Sequence, residues 1–248
     1  VSNAIVIIPT YKERENIRAI IDAIFALPKD FHILIVDDNS PDGTGDIVAL
    51  LQQDYNTDSE TKLHLIRRTG KLGLGTAYIT GFKYAIAQGY EYILEMDADF
   101  SHDPKDLINL YLACSEGGHD MAIGSRYATG VNVVNWPIGR VLLSYFASSY
   151  VRLITGIPVR DTTAGFVCYR QRVLTTISLD EIRFVGYAFQ IEMKFLSWKF
   201  GFKLIEVPII FTDRTRGESK MSKGIFREAF FGVLQMTVTS WFKKYTLQ

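Results

Sequence analysis

An α/β protein with a mostly parallel central sheet flanked by helices is predicted by three features of the first hundred residues. Short apolar runs recur without polar alternation, segments of helical periodicity separate them, and most of the runs stop abruptly at polar or charged residues. Strands that lack alternation are covered on both faces, and parallel neighbours need a crossover helix between them. At 248 residues and 48% hydrophobic composition, the chain can bury one substantial core.

Residues 4–8 (AIVII) form the first expected strand, stopped by Pro9. A helix is expected over 13–25, where Ile17, Ile20, Ile21 and Ile24 share one face. Residues 31–36 repeat the apolar run and end at Asp37-Asp38. The turn-rich NSPDGT and a helical pattern over 45–53 follow. A third strand (63–66), a third helix (76–87) and a fourth strand (90–96) complete the alternation. Beyond residue 100, strands are expected at 121–123, after DTTAG, and at 203–207, with a helix over 189–200 that carries Gln190 and Glu192.

Ligands of such sheets sit beyond the carboxyl ends of the strands. Three segments there are polar: PTYKERE, DDNSPDGT and DADFSHD. In the last, Asp97 and Asp99 flank the small Ala98, so both carboxylates can turn toward one point. Paired carboxylates repel unless a cation lies between them, and hard oxygen ligands select Mg²⁺ or Mn²⁺. The alternative is that one aspartate caps the next helix while the other is solvated. Asp103 before Pro104 already suits that cap.

Arg126 (GSRY) is expected at a strand end near this edge, where a cation can bind phosphate. The run 213–224, DRTRGESKMSKG, carries Arg214, Arg216, Lys220 and Lys223 and reads either as a solvated loop or as a cationic lid over an anion. The glycines of GKLGLGTAYITG do not make a dinucleotide fingerprint, because Tyr78 stands where the third glycine is needed. No GxxxxGK[ST] occurs.

Composition excludes other classes. With 27 Lys+Arg against 27 Asp+Glu there is no global field for nucleic acid, so no nucleic-acid partner is expected. Cys114 and Cys168 give no disulfide framework, and the four histidines share no metal-ligand spacing. No signal peptide is recognised, and Ser2-Asn3-Ala4 resembles a cloning remnant. Two apolar stretches stand out. Residues 138–154 carry a polar stripe of Arg140, Ser144, Ser148 and Arg152, and are too short and charged to span a bilayer. The stripe Phe226, Phe230, Val233, Leu234, Thr237 and Trp241 ends at Lys243-Lys244. Both suit a helix in a membrane interface or an ordinary core helix, and periodicity does not separate the two.

The blocks IPTYKERENI, VDDNSPDGT, KLGLGTAYITG, MDADFSHDP, GSRY, DTTAGF and DRTRGESKMS occur in the order and rough spacing of the dolichol-phosphate mannose synthase group of family 2 glycosyltransferases. The chain resembles that group over nearly its whole length. The resemblance implies a GT-A fold over residues 4–224 and a C-terminal amphipathic helix over 225–248. It implies inverting transfer of mannose from GDP-mannose to dolichyl or another polyprenyl phosphate, with Mg²⁺ or Mn²⁺. By motif, Pro9, Tyr11, Glu13, Val36 and Asp38 resemble the nucleoside pocket, and Asp97, Ala98 and Asp99 the segment under the diphosphate. Asp97, Asp99 and Ser101 are the implied metal site, and Asp97, Asp99 and Arg126 the catalytic set. Arg214 and Lys220 match donor phosphate-binding cations; Arg126, Arg140 and Ser219 are the implied acceptor-phosphate group. Arg216 receives no role.

Three functions from different classes stay open. The first is the polyprenyl-phosphate mannosyltransferase, peripheral on the cytoplasmic side of a membrane, with or without a separate membrane-anchor subunit. The second keeps the fold but takes a UDP-sugar, and a hydroxyl acceptor would then want a carboxylate base, for which Asp161 is the candidate; the other reading of Asp161 is that it orients Arg126 or the loop beside it. The third is a non-catalytic nucleotide-sugar or lipid-binding subunit.

Overall fold

A computed structural model of the protein describes residues 2–213 and 224–246. The expected alternation is present in the amino-terminal half as β1 (Ala4–Thr10), α1 (Ile17–Phe25), β2 (His32–Asp37), α2 (Thr44–Tyr55), β3 (Leu63–Arg67), α3 (Leu74–Ala87) and β4 (Tyr92–Glu95). Then come α4 (Asp106–Ser115), β5 (Met121–Ser125), a two-residue β6 (Val133–Val134), α5 (Ile138–Thr155), β7 (Val167–Arg170), α6 (Gln171–Thr176), α7 (Tyr187–Lys199), β8 (Leu204–Pro208), β9 (Phe211–Thr212) and α8 (Gly224–Ser240).

Seven strands form one sheet in the order β3-β2-β1-β4-β7-β5-β8, and β6 pairs with β9 in a second, two-stranded one. All main-sheet pairs are parallel except those of β7, which runs antiparallel between β4 and β5. Alternate residues of one strand enter opposite layers of the core. Ile5 and Ile7 pack with Tyr78, Phe82 and Phe189 under α3 and α7, whereas Val6 and Ile8 pack with Ile17, Ile21 and Leu107 under α1 and α4. The close seat of α3 on β1 requires Gly81, because a Cβ there would lie 2.6 Å from Cγ2 of Ile7.

Gly73, at φ +103, stands at the amino cap of α3, so the glycine-rich block is a loop entering a helix. Asp103 accepts from the Lys105 amide at 3.0 Å in the turn leading into α4. Helix α8 packs on α7 and α5.

Candidate active site

The carboxyl ends of β1, β2 and β4 lie side by side, with Pro9 paired to Val36 and Ile7 to Glu95. This brings Pro9, Tyr11, Glu13, Val36 and Asp38 to the edge from which Asp97, Ala98 and Asp99 emerge. Of the two aspartates after β2, Asp37 is absorbed by the scaffold. Its carboxylate accepts from the Thr10 and Ser40 hydroxyls at 2.9 and 2.6 Å and from the Ser40 amide at 3.0 Å. Asp38 is buried and accepts from Arg68 Nε at 2.5 Å; burial is the larger influence on its carboxyl and pushes its pKa up against that pairing. Arg68 also donates to the Thr76 hydroxyl and the Gly73 carbonyl, joining the end of β3 to the start of α3.

Beyond β4 the chain turns sharply. Phe100 adopts φ 58, a left-handed conformation uncommon for a bulky residue, and Asp99 Oδ1 accepts from the Ser101 amide at 3.0 Å. The turn leaves Asp99 and Ser101 buried and Asp97 half-buried beside a cavity of about 510 Å³. Asp97, Asp99 and Ser101 share its lining with Arg126 and Arg140, so the acids of the strand edge and the downstream cations meet in one space. Asp97, Asp99 and Ser101 present oxygen donors alone, a set that suits a hard divalent ion. Another acidic cluster, Asp30, His32 and Glu60, brings its ligand atoms within 4.8 Å of one another, a grouping that histidine spacing does not reveal. It lies at the amino-terminal end of β2, across the sheet from the cavity, and Lys62 already bonds both its carboxylates at 3.0 and 3.4 Å.

Arg126 is clasped by Asp161. The Arg126 amide and Nε both donate to Asp161 Oδ2, at 2.9 and 2.7 Å; one terminal nitrogen donates to Oδ1 at 2.6 Å and to the Thr163 hydroxyl at 2.8 Å. Complete burial would raise the Asp161 carboxyl, but the Arg126 charge and hydrogen bonds hold its pKa below the ordinary value. An anion so held is a poor proton acceptor, which removes the physical basis for Asp161 as a general base. Arg140 donates to Asp213 Oδ1 at 2.8 Å. Arg214, Ser219 and Lys220, with the rest of residues 214–223 of the expected lid, lie outside the described residues.

Under the cavity floor, Gln190 donates to Glu95 Oε2 at 2.7 Å, and the fully buried Lys194 donates to the Ala164 carbonyl at 2.6 Å and to Gln190. Burial pushes Glu95 up and Lys194 down. Arg68, His102, Trp136 and Lys194 are site residues that the sequence reading misses. Arg68 has a signal there, since it follows the β3 run as Asp38 follows that of β2.

The other wall is apolar, with Leu143, Phe146 and Tyr150 of α5 and Phe230 of α8. On α5 the polar stripe is half-buried at Arg140 and Ser144, buried at Ser148 and exposed at Arg152, while the apolar Ile138 is 74% exposed and Leu153 83%. On α8, Val233 and Thr237 are buried, whereas Phe230 and Leu234, and Trp241 just after the helix, are exposed. The two helices touch, Tyr150 stacking on Phe230 at 4.8 Å, so their outward faces adjoin. Among the described residues no helix is long and apolar enough to cross a membrane.

This sheet, with an acidic turn at its carboxyl edge, is the architecture of a GT-A glycosyltransferase. The Mycobacterium tuberculosis glucosyl-3-phosphoglycerate synthase in complex with Mn²⁺, UDP and glucosyl-3-phosphoglycerate superposes with TM-score 0.64 at 17% identity, over 96% of this chain and 79% of that one. The family model for glycosyl transferase family 2 matches residues 5–177. The chain is 45% identical to the polyprenol monophosphomannose synthase of Mycolicibacterium smegmatis, over 93% of this chain and 85% of that protein. It is 42% identical to the undecaprenyl-phosphate mannosyltransferase of Micrococcus luteus, over 92% and 90%. The chain therefore belongs to glycosyl transferase family 2, within its polyprenyl-phosphate mannosyltransferase group.

Proposed function

We propose that the protein transfers mannose from GDP-mannose to the phosphate of a polyprenyl phosphate such as dolichyl phosphate, with inversion at the sugar carbon. The observation that carries this reading is a cavity that is acidic and cationic at one end and walled at the other by helices with exposed apolar faces. A phosphate monoester on an isoprenoid tail has that same division.

The acceptor phosphate, with a second pKa of about 6, is largely ionised at neutral pH and needs no base. One of its oxygens attacks the sugar carbon, and the bond from that carbon to the GDP oxygen breaks with its electron pair on the diphosphate. The chain's task is to bring two anions together and hold them in line. Pro9, Tyr11, Glu13, Val36 and Asp38 take the nucleoside in this reading. Arg126, oriented by Asp161, and Arg140 take the acceptor phosphate, with Ser219; Arg214 and Lys220 serve the donor phosphates. Asp97, Asp99 and Ser101 would hold Mg²⁺ or Mn²⁺, which supplies Lewis-acid charge neutralisation for the diphosphate. The exposed faces of α5 and α8 lie in the membrane interface, and the same patch suits a membrane-anchor subunit.

Donor choice is tested by offering the purified protein GDP-mannose or UDP-glucose with Mg²⁺ and a short polyprenyl phosphate. Mannosyl lipid and GDP from the first donor alone are expected. Product from UDP-glucose alone would keep the site and overturn the donor.

A further inference from the structure

The cavity holds a residue that lies outside all seven sequence blocks. Trp136 stands between β6 and α5, after Asn135 at φ 63 and before Pro137, the amino cap of the helix. Its ring centroid lies 4.1 Å from Cζ of Arg140 and 5.4 Å from Cζ of Arg126. Phe211 meets the same ring edge-on at 5.2 Å and so limits its rotation. A guanidinium is drawn to the indole face by the ring quadrupole, so one side chain holds two like charges near each other. Asp161 and Asp213, each bonded to one arginine, offset their repulsion.

The indole nitrogen is buried and has no hydrogen-bond partner among the described residues. Buried donors are nearly always paired, and this group donates only, so its missing partner must be an acceptor atom. Tyr78 Oη and His102 Nδ1, from two more cavity-lining residues, are likewise unpartnered, as expected of a pocket built for a polar ligand. Trp136 alone of the three lies against both arginines.

We infer that Trp136 binds the acceptor phosphate: its ring sets the spacing of Arg126 and Arg140, and its N–H donates to a phosphate oxygen between them. This rests on the reading that the acceptor is a phosphate held by those arginines. A neutral donor there adds a directed bond without adding charge to an already cationic end.

The test is steady-state transfer from GDP-mannose to farnesyl phosphate by the full chain carrying Trp136→Phe or Trp136→Leu, with thermal unfolding of each. Trp136→Phe keeps a ring face and loses the donor, and should raise the acceptor KM about 10- to 100-fold, the worth of a hydrogen bond to a charged group. Donor KM should stay within about twofold. Trp136→Leu loses the ring as well and should raise acceptor KM further. An unchanged acceptor KM in Trp136→Phe overturns the inference, as does an equal rise in both KM values with a fall in unfolding temperature, which marks a scaffold role. A chain with Trp198→Phe and Trp241→Phe keeps Trp136 as its one indole, whose emission should change on titration with farnesyl phosphate; no change overturns the inference without relying on a folded Trp136 variant. A wild-type protein that transfers mannose to no phosphate acceptor sinks the underlying reading; an active wild type beside an unaffected Trp136→Phe sinks this inference alone.

Discussion

Replacing Asp161 with asparagine separates a residue that abstracts a proton from one that holds a cation. The side chain keeps its shape but loses its charge, and one of its two oxygens becomes an N–H donor. Whichever oxygen is replaced, that donor faces at least one Arg126 N–H, because Oδ1 and Oδ2 are both occupied by the guanidinium at 2.6–2.7 Å. Removing one partner of a buried ion pair costs about 3–5 kcal/mol, mostly because the other charge is left uncompensated. For a domain of this size each kcal/mol moves the unfolding midpoint by about 2–4 °C, so a fall of about 6–20 °C is expected. Circular dichroism melts at neutral pH measure it directly. The pair also predicts a pH dependence. A depressed carboxyl contributes stability above its unfolded pKa and loses it as pH falls through the folded one, so wild type keeps this contribution at neutral pH and loses it only in acid, below the usual carboxylate range. The deficit of Asp161→Asn should therefore be constant near neutrality and shrink in acid. A variant that melts with wild type while losing turnover would refute the cation-holding role and restore the general base.

Other sites give independent expectations. Asp99→Ala should abolish transfer at any Mg²⁺ or Mn²⁺ concentration while the melt stays within a few degrees; full activity with excess metal would remove Asp99 from the metal site. Lys194→Met should lower stability by about 1–3 kcal/mol, because the Ala164 carbonyl and Gln190 lose their buried donor; a melt unchanged from wild type would contradict that buried network. Trp241→Ser with Leu153→Ser, both at strongly exposed apolar positions, should weaken sedimentation with anionic vesicles without changing the melt. Undiminished vesicle binding would place the contact elsewhere.

How far the sequence discloses this molecule depends on whether a feature is local. The strands β1, β2 and β4 and the polar segments after them are legible because an apolar run without alternation, halted by polar residues, fits a strand buried on both faces and little else. The antiparallel insertion of β7 is not, since VCYR is buried on both faces and its pairing with β4 and β5 is set by neighbours more than 40 positions away. Sequence puts Arg126 at the site and offers Asp161 either as a base or as the residue that orients it, and only the folded contacts decide for the second. The stripe on α5 is visible as a pattern, but periodicity does not say which side faces inward. Only the folded structure shows that Ser148 is buried while Arg152, on the same stripe, is exposed. Trp136 lies in the short irregular link between β6 and α5, where no period exists to reveal it.

The proposed reaction turns on a phosphate oxygen accepting the sugar without help from a base. The decisive comparison gives purified protein, Mg²⁺ and labelled GDP-mannose either a polyprenyl phosphate or the free polyprenol of the same length. Labelled mannose should pass into the organic phase with the phosphate acceptor alone, as a mannosyl phosphodiester of β configuration. Transfer to the free alcohol, or release of GDP with no lipid-linked mannose from the phosphate, would contradict the proposed chemistry.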